Sequence, residues 1–184
     1  MSQPSRKLLI LDLDETLVHA TREPWSAQYD FRAADYYVFR RPHLAEFLSF
    51  CFERFDVAVW TSSTRSYAGI VVPEIFGEPE RLRFVWSRER CIRQFFPEEQ
   101  DFEYVKDLKK LRKRGYDLRQ IIVVDNTPQK LNRNYGNLVR IDDFEGDLSD
   151  RELKRLMRYL EDLIEADNIR TVEKRGWKLR YSPD

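Results

Sequence analysis

Asp12 and Asp14 stand two positions apart directly after the apolar run Leu8–Leu11, and the hydroxyl of Thr16 follows at the same interval. Two other apolar runs end in a similar way: Asp56–Trp60 leads into Thr61, and Ile121–Val124 leads into Asp125-Asn126. Each ending has an ordinary explanation when taken singly. Asp-x-Asp suits a solvated turn, Thr61 a helix cap, and Asp125-Asn126 another turn. Brought to one crevice, the three would do chemistry instead. A phosphate ester is negatively charged and repels a nucleophile, so a carboxylate attacks it only when a metal and fixed donors neutralise that charge. Mg²⁺ takes oxygen ligands and keeps several waters, so two side-chain oxygens and a carbonyl suffice to hold it. Asp12 is the candidate nucleophile. Asp14 is the candidate acid that protonates the leaving oxygen and later activates water.

The elements around these residues must bring the three endings together. Leu8–Leu11, Asp56–Trp60 and Ile121–Val124 are short apolar runs that suit strands buried on both faces of a parallel sheet. In open sheets of this kind the ligand crevice lies beyond the carboxyl ends of the strands. Leu44, Phe47, Leu48, Cys51 and Phe55 follow helical spacing, so a helix is expected to about Arg54, with Pro42 in its first turn. A second helix over Tyr67–Val72, capped by a hydroxyl of Thr61–Thr64, is expected to stop or break at Pro73. Arg83–Trp86 and Leu138–Ile141 read as further strands, Arg90–Phe96 as an extended piece, and Asp107–Arg114 as a short helix ending at Gly115. Pro128 is expected to open a helix capped by Thr127. Ser149 and Glu152 form a capping box before a stripe of Leu153, Leu156, Met157, Leu160, Leu163 and Ile164. Tyr and Phe near period two in Gln28–Phe31 and Tyr36–Phe39 suggest a β-hairpin, and Glu23–Ser26 a loop. Strands alternating with helices give an α/β, Rossmann-like parallel sheet with helices on both faces. The intervals between its motifs are too short for a large cap domain, so the crevice is expected to be open.

Composition sets the outer limits. At 184 residues the chain suits one domain, with a core over about 7–165 and a polar tail over about 168–184. Lysine plus arginine total 32 and aspartate plus glutamate total 32, so no global charge favours nucleic acid or an anionic membrane. The run Lys109–Arg114 reads as a solvated helix face. Cys51 and Cys91 are far apart and neither belongs to a CxxC pair, which leaves zinc or a disulfide framework unsupported. The start lacks a signal-peptide h-region, and no stretch of about 18 apolar residues occurs. The expectation is a soluble cytoplasmic protein, or a nuclear one in a eukaryote.

The string Leu-Asp-Leu-Asp-Glu-Thr-Leu-Val-His resembles the first motif of the haloacid dehalogenase superfamily. Its extension Leu17-Val-His19 is similar to the small phosphatases that act on the C-terminal domain of RNA polymerase II. Trp60-Thr61-Ser62, Tyr104-Val-Lys106-Asp-Leu108 and Asp125-Asn126 resemble the later motifs in the same order, and Arg41-Pro42-His43 and Ser87–Cys91 resemble two further segments. By sequence alone Lys106 would be a surface lysine. The resemblance makes it a phosphate-binding cation beside Thr16, Thr61 and Arg88. It also implies Mg²⁺ on Asp12, Asn126 and the backbone carbonyl of Asp14, with Asp125 as a ligand or just behind one. The implied activity is hydrolysis of a phosphomonoester through an aspartyl-phosphate, on phosphoserine or phosphothreonine in protein. Related capless domains act on nucleic-acid 3′-phosphates, and one relative is a non-catalytic scaffold, so those readings stand beside it. Two departures bear on the substrate. Arg22 and Glu23 stand where those phosphatases seat a proline, and Phe96–Phe102 is an extra acidic piece.

Overall fold

The computed structural model describes residues 6–24 and 26–181. Trp25, in the expected loop, and both chain ends lie outside the described residues. Five parallel strands form the central sheet: β1 (Leu8–Leu11), β5 (Asp56–Trp60), β6 (Val85–Trp86), β9 (Ile121–Asp125) and β10 (Leu138–Arg140), in the order β10-β9-β1-β5-β6. β1 lies at the centre, paired with β9 on one side and β5 on the other.

Side chains alternate across the sheet, as a pleat requires. Leu9, Leu11, Val57, Val59, Ile122 and Val124 face one core, packed under α1 (Leu44–Arg54), α2 (Arg65–Phe76) and α4 (Glu152–Ile164). Leu8, Ile10, Ala58, Trp60, Ile121 and Val123 face the other, packed with Leu108, Leu111 and Leu131 from α3 (Lys109–Arg112) and a 3-10 turn at Pro128–Leu131. Every residue of β1 is buried, which is why its sequence is apolar without alternation. The fold is thus an α/β parallel sheet covered on both faces.

Two insertions leave this core. β2 (Val18–Thr21), β3 (Phe31–Ala33) and β4 (Tyr36–Arg40) form a small antiparallel sheet in the order β2-β4-β3. β7 (Ile92–Phe96) and β8 (Asp101–Val105) form a hairpin, so the extra acidic piece is its turn, with Gln100 at φ 54°. The Arg83–Trp86 strand shortens to Val85–Trp86.

Several helix signals resolve differently from expectation. Pro42 lies in a turn ahead of α1, whose first-turn position passes to Leu44 after a left-handed His43 at φ 66°. Pro73 neither stops nor breaks α2, which runs on to Phe76. The carbonyl that loses its partner is that of Gly69, an exposed residue with open space where a side chain would be. Pro128 opens only a 3-10 turn. Ser149 does not cap α4, because Asp147 holds both its N–H and its hydroxyl. The Glu152 carboxylate turns inward instead, accepting from Asp142 N and ion-pairing with Lys178. The tail also packs: Trp177 is buried, stacks on Tyr159 and donates its indole N–H to the Arg140 carbonyl at 2.9 Å. Among the described residues no helix is long and apolar enough to cross a membrane.

Candidate active site

Register decides where the carboxylates fall. Leu11 pairs with Val59 and with Val124, so the next residue, Asp12, stands level with Trp60 and Asp125. Its own N–H still donates to the Val124 carbonyl at 3.1 Å, which extends the sheet by one residue. Asp12 therefore sits on rigid backbone. Asp14, beyond it, starts a tight turn in which Glu15 takes φ 57°.

Lys106 is fully buried between two carboxylates. Its ammonium lies 2.8 Å from Asp12 Oδ1 and 2.5 Å from Asp125 Oδ2. The lysine that sequence alone would have left on the surface is thus drawn in by charge. A second ammonium, which sequence reasoning missed, completes the group: Lys130 Nζ lies 3.3 Å from Asp12 Oδ2 and 3.8 Å from Asp125 Oδ1. The backbones of the two lysines are joined, since Lys106 N donates to the Lys130 carbonyl at 2.7 Å. Two cations and two anions share one buried pocket, which offsets the cost of removing each from water.

Electrostatics push the two motif carboxylates apart. Burial alone would raise the Asp12 carboxyl, but the Lys106 and Lys130 ammoniums hold it below its ordinary value. Burial raises Asp14, and the charge of Asp12 adds to that rise. Hydrogen bonds from Ser63 and Tyr67, the latter at 2.7 Å, only partly oppose it. Asp125 is also raised, by burial and by the charge of Asp12. Burial would lower Lys130, yet the carboxylates Asp12 and Asp125 raise it, so it stays charged. An ionised carboxylate beside one that favours its proton is the pattern of a nucleophile with a general acid. Ser63 and Tyr67 carried no motif signal, but Tyr67 follows Thr64 by three residues, and the Thr64 cap fixes the first turn of α2 that presents it.

The remaining predicted residues fall around this centre. Thr16 is buried and donates its hydroxyl to Asn126 Oδ1 at 3.3 Å, so it fixes a neighbour rather than offering a surface. Asn126 Nδ2 donates to Asp143 at 3.0 Å, which sets the amide from its other side. Thr61 is buried and its Oγ accepts from Ser63 N at 3.0 Å, shaping the loop that carries Ser63. Arg88 donates through Nε to the Ser62 carbonyl at 2.7 Å and lies 4.7 Å over the Tyr104 ring. It is pinned to the same loop. Arg41 is buried and acts as a strut: it donates to the carbonyls of Thr16 and Asp142, each at 3.0 Å, and ion-pairs with Asp150 at 2.7 Å. Arg22 lies over the Tyr36 ring, which meets Tyr67 edge-on, so a cation and two rings wall the crevice beside Asp14.

Among the described residues no group of three or more His, Cys, Asp or Glu could hold a metal by itself. The donors expected for a metal, Asp12, Asn126 and the Asp14 carbonyl, are all oxygens, a chemistry that suits Mg²⁺ rather than zinc.

The model of the NLI interacting factor-like phosphatase family matches residues 7–170. CTD small phosphatase-like protein 2 of Dictyostelium discoideum is 32% identical over 178 residues, which cover 93% of this chain and 30% of that protein. The human carboxy-terminal domain RNA polymerase II polypeptide A small phosphatase 1 is 31% identical over 179 residues, covering 93% of this chain and 65% of its own. The chain thus spans between about a third and two thirds of the length of these relatives. The structure of Fcp1, described as an essential RNA polymerase II CTD phosphatase, has the same fold at a TM-score of 0.66 and 21% identity, over 86% of this chain and 62% of that one. With the family model covering residues 7–170, most of its length, the chain belongs to the NLI interacting factor-like phosphatase family.

Proposed function

We propose that this chain is a Mg²⁺-dependent phosphomonoesterase that works through an aspartyl-phosphate on Asp12. The observation that carries the reading is the opposed setting of Asp12 and Asp14: one is held ionised by two ammoniums, the other is biased toward its proton. A carboxylate oxygen of Asp12 attacks phosphorus, and the bond to the ester oxygen breaks. Asp14 gives its proton to that oxygen, so an alcohol leaves. Asp14, now a base, takes a proton from water, and the hydroxide attacks the phosphoryl group and releases phosphate from Asp12. Lys106 and Lys130 balance the charge of the attacking group throughout. Mg²⁺ on Asp12, Asn126 and the Asp14 carbonyl would supply further neutralisation of the phosphate oxygens.

The substrate we assign is phosphoserine or phosphothreonine in a protein segment. The intervals between the motifs leave no room for a large cap domain, which suits a group on a macromolecule. The human relative is named for a protein substrate, the polymerase C-terminal domain. Arg22 over Tyr36 replaces an apolar seat, so little selectivity for that domain over other phosphopeptides is expected. The test is trapping: brief exposure to a phosphopeptide and acid quenching should leave one phosphoryl group on wild-type protein, mapped to Asp12 by mass spectrometry, and none on Asp12→Asn. Turnover without any phosphoenzyme would refute the mechanism. A preference for 3′-phosphorylated oligonucleotides that weakens steeply with salt would refute the substrate class.

A further inference from the structure

A cavity between α2 and the edge strand β6 takes no part in the site described above. It holds about 440 Å³ and has Trp86 and Phe84 in its wall, their ring centroids 4.4 Å apart. Three guanidiniums line it, those of Arg65, Arg90 and Arg114. Arg90 ends the 3-10 turn Arg88–Arg90 and Arg114 follows α3, yet they converge: they lie 5.5 and 5.0 Å from the same Trp86 ring centroid. None of the three forms an ion pair with a carboxylate among the described residues. One carboxylate, Glu89, also lines it: it accepts from the Ser87 hydroxyl and the Arg65 backbone N–H, and the charge of Arg65 helps hold it below its ordinary value. Three cations thus face one carboxylate, and a further anion between Arg90 and Arg114 lowers the repulsion that remains. Gly69 at the wall adds no side chain and leaves open space.

One short turn, Arg88–Arg90, joins the cavity to the loop that carries Ser63. Arg88 reaches from it to the Ser62 carbonyl and Tyr104, whereas Arg90, two residues on, reaches the cavity. A few residues of extended chain, at roughly 3.3 Å each, pass from one side of such a turn to the other. We propose that this cavity is a second anion subsite, which takes an additional phosphate on the same protein segment whose phosphoserine or phosphothreonine lies at Asp12. The inference rests on the protein-phosphatase reading given above. Guanidinium forks match phosphate oxygens in pairs, and a dianion answers several arginines better than a carboxylate does. A single compact pocket on a chain of zero formal charge suits one such group rather than a nucleic-acid backbone.

The test separates binding from turnover. Affinity is read by fluorescence anisotropy on Asp12→Asn protein, with peptides carrying one phosphoserine or two at spacings of about two to five residues. The doubly phosphorylated peptide of best spacing should bind about tenfold tighter than the single one, and the gap should shrink with salt. Arg90→Gln/Arg114→Gln should close the gap, while its hydrolysis of p-nitrophenyl phosphate and of the singly phosphorylated peptide stays within about twofold of wild type. If that variant melts well below wild type, Arg90→Lys/Arg114→Lys replaces it. It keeps the charge but not the paired fork, and should lose most of the gap. Equal affinity for single and double peptides at every spacing, or a gap that survives in the variants, would overturn the subsite. Tighter binding of an oligonucleotide than of any peptide, lost in the same variants, would overturn it too, in favour of a nucleic acid. Failure of wild-type protein to hydrolyse the singly phosphorylated peptide would instead count against the substrate class, since the affinity gap is measured without turnover.

Discussion

Lys130 Nζ lies 3.3 Å from Asp12 Oδ2, on the carboxylate oxygen opposite the one that Lys106 holds. Both oxygens of the candidate nucleophile thus carry an ammonium, and a divalent cation on Asp12 must share that oxygen with Lys130 or move it aside. Lys130→Met should therefore bind Mg²⁺ more tightly, by about tenfold, since even in water unit charges about 4 Å apart interact by ~1 kcal/mol. Calorimetry at fixed pH gives the comparison. Equal or weaker binding would show that Lys130 and the metal do not compete.

Lys106 is the more deeply buried of the two, and its loss leaves Asp12 and Asp125 with one cation between them. Lys106→Met should cost about 3–5 kcal/mol of stability, as expected when one partner of a buried pair is removed. Lys130→Met should cost less, because its side chain reaches solvent. Urea unfolding of both variants would show the order.

The pH profile follows from the two aspartates. Asp12 is lowered, so it stays ionised well into acid. Asp14 is raised, so its proton persists above the ordinary carboxylate range, and the rate of the first chemical step should fall as pH rises through that value. The hydroxyls of Ser63 and Tyr67 oppose the rise. Tyr67→Phe should therefore move the falling limb of kcat/KM to higher pH; a limb moved to lower pH, or left in place, would contradict the role given to Asp14.

The same shift has a stability consequence of known sign. A carboxyl whose folded-state value is raised binds its proton better when folded, so its contribution is present in acid and is lost as pH rises through the folded-state value. Above that value the ionised Asp14 is a burden on the metal-free fold. At a pH above it, Asp14→Asn should raise the melting temperature without metal, while cutting turnover by roughly 10²–10⁴-fold. A lowered melting temperature there would mean that its hydrogen bonds to Ser63 and Tyr67 outweigh burial.

Asn126 and its partner Asp143 give the fifth test. Asn126→Ala should weaken Mg²⁺ binding, with excess metal restoring part of the activity. Asp143→Ala, which removes the group holding the Asn126 amide, should weaken it by about 10-fold or less, at the low end for an outer partner of a ligand. Calorimetry of both variants ranks them, and equal affinities in wild type and Asn126→Ala would remove Asn126 from the ligand set.

The strands that build the crevice were legible because burial on both faces leaves an unbroken apolar run. Leu8–Leu11 and Asp56–Trp60 match the structure residue for residue, and Ile121–Val124 extends only to Asp125. Lys130 was not legible: it lies in a 3-10 turn with no periodicity, and only the pairing of β9 with β1 brings it to Asp12. Ser63 and Tyr67 were hidden for a related reason, since hydroxyl contacts across elements leave no trace in local spacing. Ser149 misled in the opposite sense. Its box pattern was complete, but Asp147 beside it and Lys178 from the tail offered its two members other partners. The strut Arg41 drew notice for its motif, while its burial depended on the distant loop at Asp142–Asp150.

The central place of β1 has a dynamic consequence. A strand paired on both edges and covered on both faces opens only when the whole sheet does, so its amides belong to the slowest-exchanging unit of the molecule. Asp12 rides on that unit. Ser63 and Tyr67 belong to a loop and to the exposed first turn of a helix, which open locally at far lower cost. Asp12 is therefore anchored, while Asp14 is held by hydrogen bonds from less deeply buried elements. On the proposed mechanism, a fixed nucleophile would face an acid that is held less tightly.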